Sequence, residues 1–307
     1  MATKRTGAAH TRVLASNEHL RQFHKLIDAF TSHNHWQVYT DFLQLAADCF
    51  ISDHTPEHPR EQDYLEIMQR YRGNEPGYFR DMLFCVMAYM RDTNLECLSE
   101  MWEEYSANAA LGQFFTPWHV CEFMAETQLQ NVDWEQYTPE NKCYISDPSC
   151  GGGRTLTAAL KKVPQHKLDS VCFHGIDIDS NVCYVAALNM LFFNANSYIV
   201  HGNALTLEVW HVYRTIHSWQ GGTLVEITDP EEMQRVIKWG LNERKEPEEK
   251  KTTKTEQPVK QEKAIETAVK PPEKEITVND TPEDVTAVKT AENGNKSDLQ
   301  QLVLFEM

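Results

Sequence analysis

The sequence predicts an α/β layer fold entered through an α-helical region. Three observations carry this. Up to about residue 108, apolar residues recur at i, i+3, i+4 and i+7. From 109 to about 240, short β-like runs alternate with helical patterns. Between one such run and one such helix stands "DPSCGGGRTL", Asp147 to Leu156, a turn with three consecutive glycines.

The helical region reads as "HLRQFHKLIDAF", "VYTDFLQLAADCF", "EQDYLEIMQRYR", "FRDMLFCVMAYMRD" and "NLECLSEMWEEYSA". Pro56, Pro59, Gly73, Pro76 and Gly77 punctuate these runs. The β-like runs are "CYIS", "VCFHGIDI", "SYIVHG" and "GTLVEIT", with "RTLTAALKK" and "NVCYVAALNMLFF" as helices between them. Strands alternating with helices predict a parallel sheet. From about 241 to 298 the chain is Lys, Glu, Thr and Pro without aromatics, a composition that buries too little apolar surface to offset chain entropy. Lys245 to Asp298 holds 10 Lys and 13 acids, so this segment is nearly charge-balanced and reads as a disordered linker. The predicted map is a helical domain 1–108, an α/β domain 109–240, a linker 241–298 and an apolar tail 299–307.

Among 307 residues the net charge is −16, which argues against a nonspecific grip on a polyanion. If the protein works on DNA, a small basic surface or a partner supplies the grip. The N-terminus shows no apolar export segment, the longest apolar runs are too short to span a bilayer, and the eight cysteines contain no C-x-x-C pair. A cytoplasmic protein with reduced thiols, no membrane and no metal is expected. The histidines support no metal reading: His33 and His35 form a three-letter "HNH", and Pro56 breaks any helix aligning His54 with His58. No G-x-S-x-G marks a nucleophile, and Cys150 sits within the glycine turn.

A glycine turn between strand and helix lets backbone approach a ligand closely. No Lys-Ser or Lys-Thr follows, so it is not a phosphate-binding P-loop, and it is not G-x-G-x-x-G. Asp177 ends the next predicted strand, 24 residues past Gly153. An acid at that place commonly takes a ribose hydroxyl pair. Asn203, in "HGNAL" after the third strand, is placed to meet an adenine edge. Upstream, "GQFFTPWHV" precedes a helix, with Thr116 as the expected cap and Pro117 at its first position.

The ordered set "GQFFTP", "DPSCGGG", "GIDID", "HGNAL" resembles the N6-adenine DNA methyltransferase family, most of all the modification subunit of type I restriction systems. The resemblance covers roughly residues 20 to 210. It implies a Rossmann-like domain that binds S-adenosylmethionine, preceded by a helical domain. It implies that Asp147, Pro148, Gly151 and Gly153 line the methionine and ribose part, that Asp177 holds the ribose, that Asn203 meets the adenine, and that Phe114, Phe115, Thr116 and Pro117 close over the methionine end. It further implies DNA and a specificity subunit as partners.

The family's catalytic N/D/S-P-P-aromatic signature, which holds a flipped-out base, is missing beyond Asn203. The nearest candidate is Asp229-Pro230, followed by Glu231 and Glu232. Only about four strands are placed where this methylase fold has seven. Transfer of methyl to adenine and a non-catalytic regulatory or anti-restriction role both stand. At the C-terminus, Gln301-Leu302-Val303-Leu304-Phe305 resembles the Q-L-x-L-F peptide that binds the bacterial sliding clamp. Gln301 would anchor that peptide, with Leu302, Leu304 and Phe305 as its apolar contacts. The alternative is a tail that docks on its own domain.

Overall fold

The structure, a computed structural model, describes residues 17–51, 60–106 and 115–241 and the backbone of Gln301–Val303. Phe114, Leu304, Phe305, His54, His58, the side chains of Gln301 and Leu302, and the predicted linker from residue 242 onward lie outside the described residues.

Five α-helices come first among the described residues: α1 Glu18–Asp28, α2 His35–Phe50, α3 Glu61–Met68, α4 Glu75–Thr93 and α5 Leu98–Tyr105. The starts of α1 and α2 follow from capping chemistry. The Asn17 and Asn34 side chains accept from His19 N and Trp36 N, each at 2.8 Å, satisfying donors that the first helical turn leaves open. α4 ends at Asn94, whose φ of 56° is left-handed and whose N–H reaches the Met90 carbonyl at 2.9 Å.

The second region holds α6 Trp118–Leu129, β1 Cys143–Asp147, α7 Arg154–Leu160, β2 Val171–Asp177, α8 Ser180–Phe192, β3 Ser197–Asn203, β4 Glu208–Ile216, β5 Thr223–Ile227 and α9 Pro230–Gly240. The backbone of Gln301–Val303 forms β6, and the sheet order is β5-β4-β3-β2-β1-β6. β1, β2 and β3 are parallel, as predicted. β4 and β5 are not: β3–β4 and β4–β5 pair antiparallel. Only Ala204–Leu207 separate β3 from β4, too few for the helical crossover that a parallel neighbour needs. β6 pairs parallel with β1, with Tyr144, Ile145 and Ser146 opposite Gln301, Leu302 and Val303.

Both faces of the sheet are covered, because successive strand residues point to opposite sides. Ile145, Phe173 and Ile199 join the core that also contains α8 and the N-terminal helices. Ile176, Val200, Val212 and Ile227 pack instead with Val236 and Ile237 of α9. α8 is buried from Val182 to Leu191, as a helix apolar on every side must be. α9 is pinned by polar contacts too. The Ser146 hydroxyl donates to the Gly240 carbonyl at 2.5 Å, and His174 Nε2 meets the Val236 carbonyl at 3.0 Å. Burial holds His174 down to about 4, so it is neutral and able to donate there. No described helix is long and apolar enough to cross a membrane, and no described cluster of His, Cys, Asp or Glu is arranged to hold a metal.

Candidate functional site

β1 delivers Asp147 to the carboxyl end of the sheet with 1% of its surface exposed. Its carboxylate accepts from Ser149 N at 3.0 Å and from the Thr155 hydroxyl. Burial pushes its pKa up to about 6 against those two hydrogen bonds, and the nearby Asp177 charge raises it further. The chain then turns through Pro148–Gly153. Gly151 and Gly153 take φ of 52° and 78°, left-handed values that the missing Cβ permits. Cys150 N donates to the Ile176 carbonyl at 2.9 Å and so ties the turn to β2.

Asp177 ends β2 directly beside this turn. Its Oδ2 accepts from Gly151 N at 2.9 Å and its Oδ1 from Asp179 N at 3.0 Å. Burial raises its pKa, while these two N–H donors pull it back. A carboxylate has about four lone-pair sites, so partly exposed Asp177 keeps acceptor capacity beyond the turn. Two acids therefore converge where β1 and β2 end, both disfavoured as charges by burial.

The upstream motif reaches the same place. A Cβ on Gly151 would come within 2.9 Å of the Phe115 ring, so ring and turn are in contact. The Arg154 guanidinium lies 5.6 Å from that ring's centre, and the Trp102 ring lies 6.5 Å away. Thr116 is not the cap of α6: Pro117 occupies that position without a side-chain bond, and the Thr116 carbonyl faces Cys121 Sγ at 3.5 Å. The preset φ of proline suits the junction without help from the hydroxyl. Asn203 ends β3 and uses its Oδ1 on its own turn, accepting from Leu205 N at 2.9 Å and Thr206 N at 3.2 Å.

Asp229 and Pro230 do not join this cluster. They begin α9 beyond β5, with β3 and β4 lying between β5 and β2. Asp229 Oδ1 accepts from Glu232 N at 2.7 Å, which is the ordinary work of an N-cap. Cys150 is buried, with its thiol pushed well above the usual range by burial, so it is no nucleophile.

Four residues of this neighbourhood escaped the sequence reading. Ile178 and Leu205, at the ends of β2 and β3, expose 61% and 94% of their surface, and such apolar side chains suit the flat faces of a ring. The "GIDID" run holds the signal for Ile178, an apolar residue directly after the acid. Ser99 and Trp102 lie on α5 against the turn, and both are buried. A Cβ on Gly152 would stand 2.5 Å from Ser99 Oγ and 2.9 Å from Val185 Cγ1. The middle glycine is thus demanded by close packing, and Asn189 Nδ2 fixes its carbonyl at 3.0 Å. Among the described residues, neither Ser99 Oγ nor Trp102 Nε1 has a hydrogen-bond partner.

The family model for N-6 DNA methylase matches residues 96–225, a span that runs from just before α5 into β5. Over that span the resemblance read from the four motifs is to an N-6 DNA methylase domain, and it holds. No curated protein and no solved structure matched the chain.

Proposed function

We propose that this protein is a Rossmann-like, S-adenosylmethionine-binding, N-6 DNA methylase-like subunit. The observation that carries the reading is the hydrogen bond from Gly151 N to Asp177 Oδ2, which locks a ribose-type acid onto the glycine turn beside Asp147. The residues fit the cofactor. Asp147 suits its ammonium group, Asp177 its ribose hydroxyls, Ile178 and Leu205 the faces of its adenine, and Asn203 Nδ2 an acceptor on the adenine edge. Pro148, Gly151 and Gly153 let backbone approach, and Phe115, with Phe114, Thr116 and Pro117, closes the methionine end. Bound S-adenosylmethionine supplies a methyl group activated by its sulfonium. The chain's own part is positioning and water exclusion.

The only Pro-Pro pair in the sequence, Pro271-Pro272, is followed by Glu273. Transfer to adenine N6 in DNA therefore depends on a partner, such as a specificity subunit, that supplies the base pocket. The −16 net charge agrees with DNA grip from a partner. A second reading, a non-catalytic regulator of restriction-modification, is favoured by Asp229 serving only as a helix cap. In both readings residues 1–108 are a helical domain, 109–240 the cofactor domain, 241–298 a linker and 299–307 a clamp-binding tail in a bacterial cytoplasm.

S-adenosylmethionine is expected to raise the melting temperature, and Asp177→Ala to abolish that rise; no shift at millimolar ligand refutes the cofactor. Labelled methyl should reach DNA adenine only when a bacterial lysate supplies partners. Transfer by the pure chain would reveal a base pocket of its own, and no transfer with lysate would select the regulator. For the tail, a peptide of the last ten residues should bind the sliding clamp, and changing Leu304 and Phe305 to Ala should remove binding. The intact chain should bind more weakly than the peptide, because the Gln301–Val303 backbone is already paired with β1. A peptide with no affinity would leave the tail to its own sheet.

A further inference from the structure

α7 begins with a residue that its own helix disfavours. A helix N-terminus suits acids and repels cations, yet Arg154 is the first residue of α7 and is 6% exposed. A buried charge is costly unless it is paired and hydrogen-bonded. The partners of Arg154 come from elsewhere. Its Nε donates to Glu96 at 2.9 Å and its Nη1 to Glu103 at 3.3 Å. Glu96 stands just before α5 and Glu103 within it. Glu96 is itself fixed, because its Oε2 accepts from Ser99 N at 2.9 Å. The N-terminal helical region therefore grips the chain at the point where the glycine turn becomes a helix.

Ion pairing explains a cation here, but a lysine could also pair. The third contact of Arg154 favours arginine. Its guanidinium carbon lies 5.6 Å from the centre of the Phe115 ring, within the range of a cation–π contact. A planar fork can bond carboxylates along its edge and still offer its face to a ring, which a compact ammonium does not do. The same ring is bounded on other sides. A Cβ on Gly151 would come within 2.9 Å of Phe115 Cδ1 and Cε1, and the Trp102 ring lies 6.5 Å away. Phe115 stands three residues before α6 begins at Trp118, so these contacts reach it from outside its own helix.

We infer that Arg154 is a positioning residue for the methionine end of the cofactor: anchored on Glu96 and Glu103, it seats the Phe115 ring on the glycine turn and so fixes the segment from Phe115 to Pro117. This rests on the proposed cofactor and adds how the helical region reaches it. Arg154 acts through Phe115 and not by touching the ligand.

The test compares two probes on the full-length chain. S-adenosylhomocysteine carries the amino-acid end, and 5′-methylthioadenosine lacks it while keeping the adenine and ribose. Arg154→Lys keeps the buried charge and removes the flat face and the fork. It should weaken S-adenosylhomocysteine about fivefold, the size of one cation–π contact, and leave 5′-methylthioadenosine within about twofold. In a Phe115→Leu background the same substitution should cost almost nothing further, because the two residues act as one unit. Glu103→Ala frees Arg154 from its more exposed partner, whose side chain is 25% exposed, and keeps the buried Glu96 pair. It tests the anchor even if Arg154→Lys fails to fold, and should lower the first affinity about twofold while sparing the second. Equal losses for both probes would make Arg154 a structural rivet and overturn the assignment. So would an undiminished loss in the Phe115→Leu background, or no loss in any variant. A wild-type chain that binds 5′-methylthioadenosine but gains nothing from the amino-acid end would overturn it and leave the nucleoside site standing. A wild-type chain that binds neither probe would remove the cofactor reading and this assignment together.

Discussion

At the β1–β2 end of the sheet, Asp147 is 1% exposed and has no cation as a hydrogen-bond partner; burial holds its pKa up to about 6. At the β4–β5 end, Glu226 has an 8% exposed side chain, yet its pKa stands at about 2. Burial pushes Glu226 up as well. Hydrogen bonds from His211 and Arg60, with the charge of Arg60, more than reverse that. Arg60 reaches both carboxylate oxygens, at 2.7 and 2.8 Å, and also meets the Tyr184 and Tyr213 hydroxyls at 2.9 and 3.0 Å. One end of the sheet has completed its own electrostatics. The other keeps acids that meet no cation among the described residues. Unpaired acids beside a glycine turn are what a ligand would complete, and a self-satisfied cluster is what a structural joint needs.

The comparison breaks most visibly at Arg60. Removing its side chain strands the buried Glu226, and leaving a buried charge without its partner costs about 3–5 kcal/mol. Urea melts of Arg60→Ala should show a loss of that order, while S-adenosylmethionine still raises what stability remains. A loss below about 1 kcal/mol would mean the cluster is solvated in solution. Loss of the ligand effect would mean the two ends are coupled. A smaller change, of opposite sign, is expected at Asp147. Its folded pKa is raised, so its contribution is full below about pH 4 and is lost as pH climbs through about 6. Asp147→Asn should therefore be more stable than wild type at pH 7 by about 3 kcal/mol. It should lack the wild-type decline between those pH values and should no longer respond to the cofactor. Glu226 works in the other direction: its stabilisation is present above about pH 4 and is lost only as pH falls through about 2.

The two ends also differ in how far the sequence disclosed them. The β1–β2 end was legible because its constraints are local. Gly151 and Gly153 need left-handed φ, and Asp177 follows at the spacing that one helix and one strand impose. The β4–β5 end was not. β4 turns back from β3 through Ala204–Leu207, and the left-handed position there is Leu207 at φ 59°, where a hairpin is usually signalled by Gly or Asn. Without that signal, "EVWHVYRTI" did not stand out as a strand. Arg60 and Glu226 are 166 residues apart, so no pattern in either neighbourhood announces their pairing. Ser99 and Trp102 show a third limit. Their helix was read, but a missing hydrogen-bond partner is a property of three-dimensional packing alone.

The smallest expected effect separates resemblance from geometry at Asp229. In sequence, Asp-Pro after a strand looks like the remnant of a catalytic signature. In the fold it caps α9, whose first turn also carries Glu231 and Glu232, acids that favour a helix N-terminus. Asp229→Ala should cost about 1 kcal/mol, the usual loss for a capping side chain. Asp229→Ser, which keeps a cap, should recover most of that loss. Cofactor affinity should be unchanged in both, and so should any methyl transfer seen with partners. If transfer fell sharply in Asp229→Ser while the melting temperature held, the β5–α9 junction would be catalytic after all. The contrast between a poised end and a finished end of the sheet would then have to be redrawn.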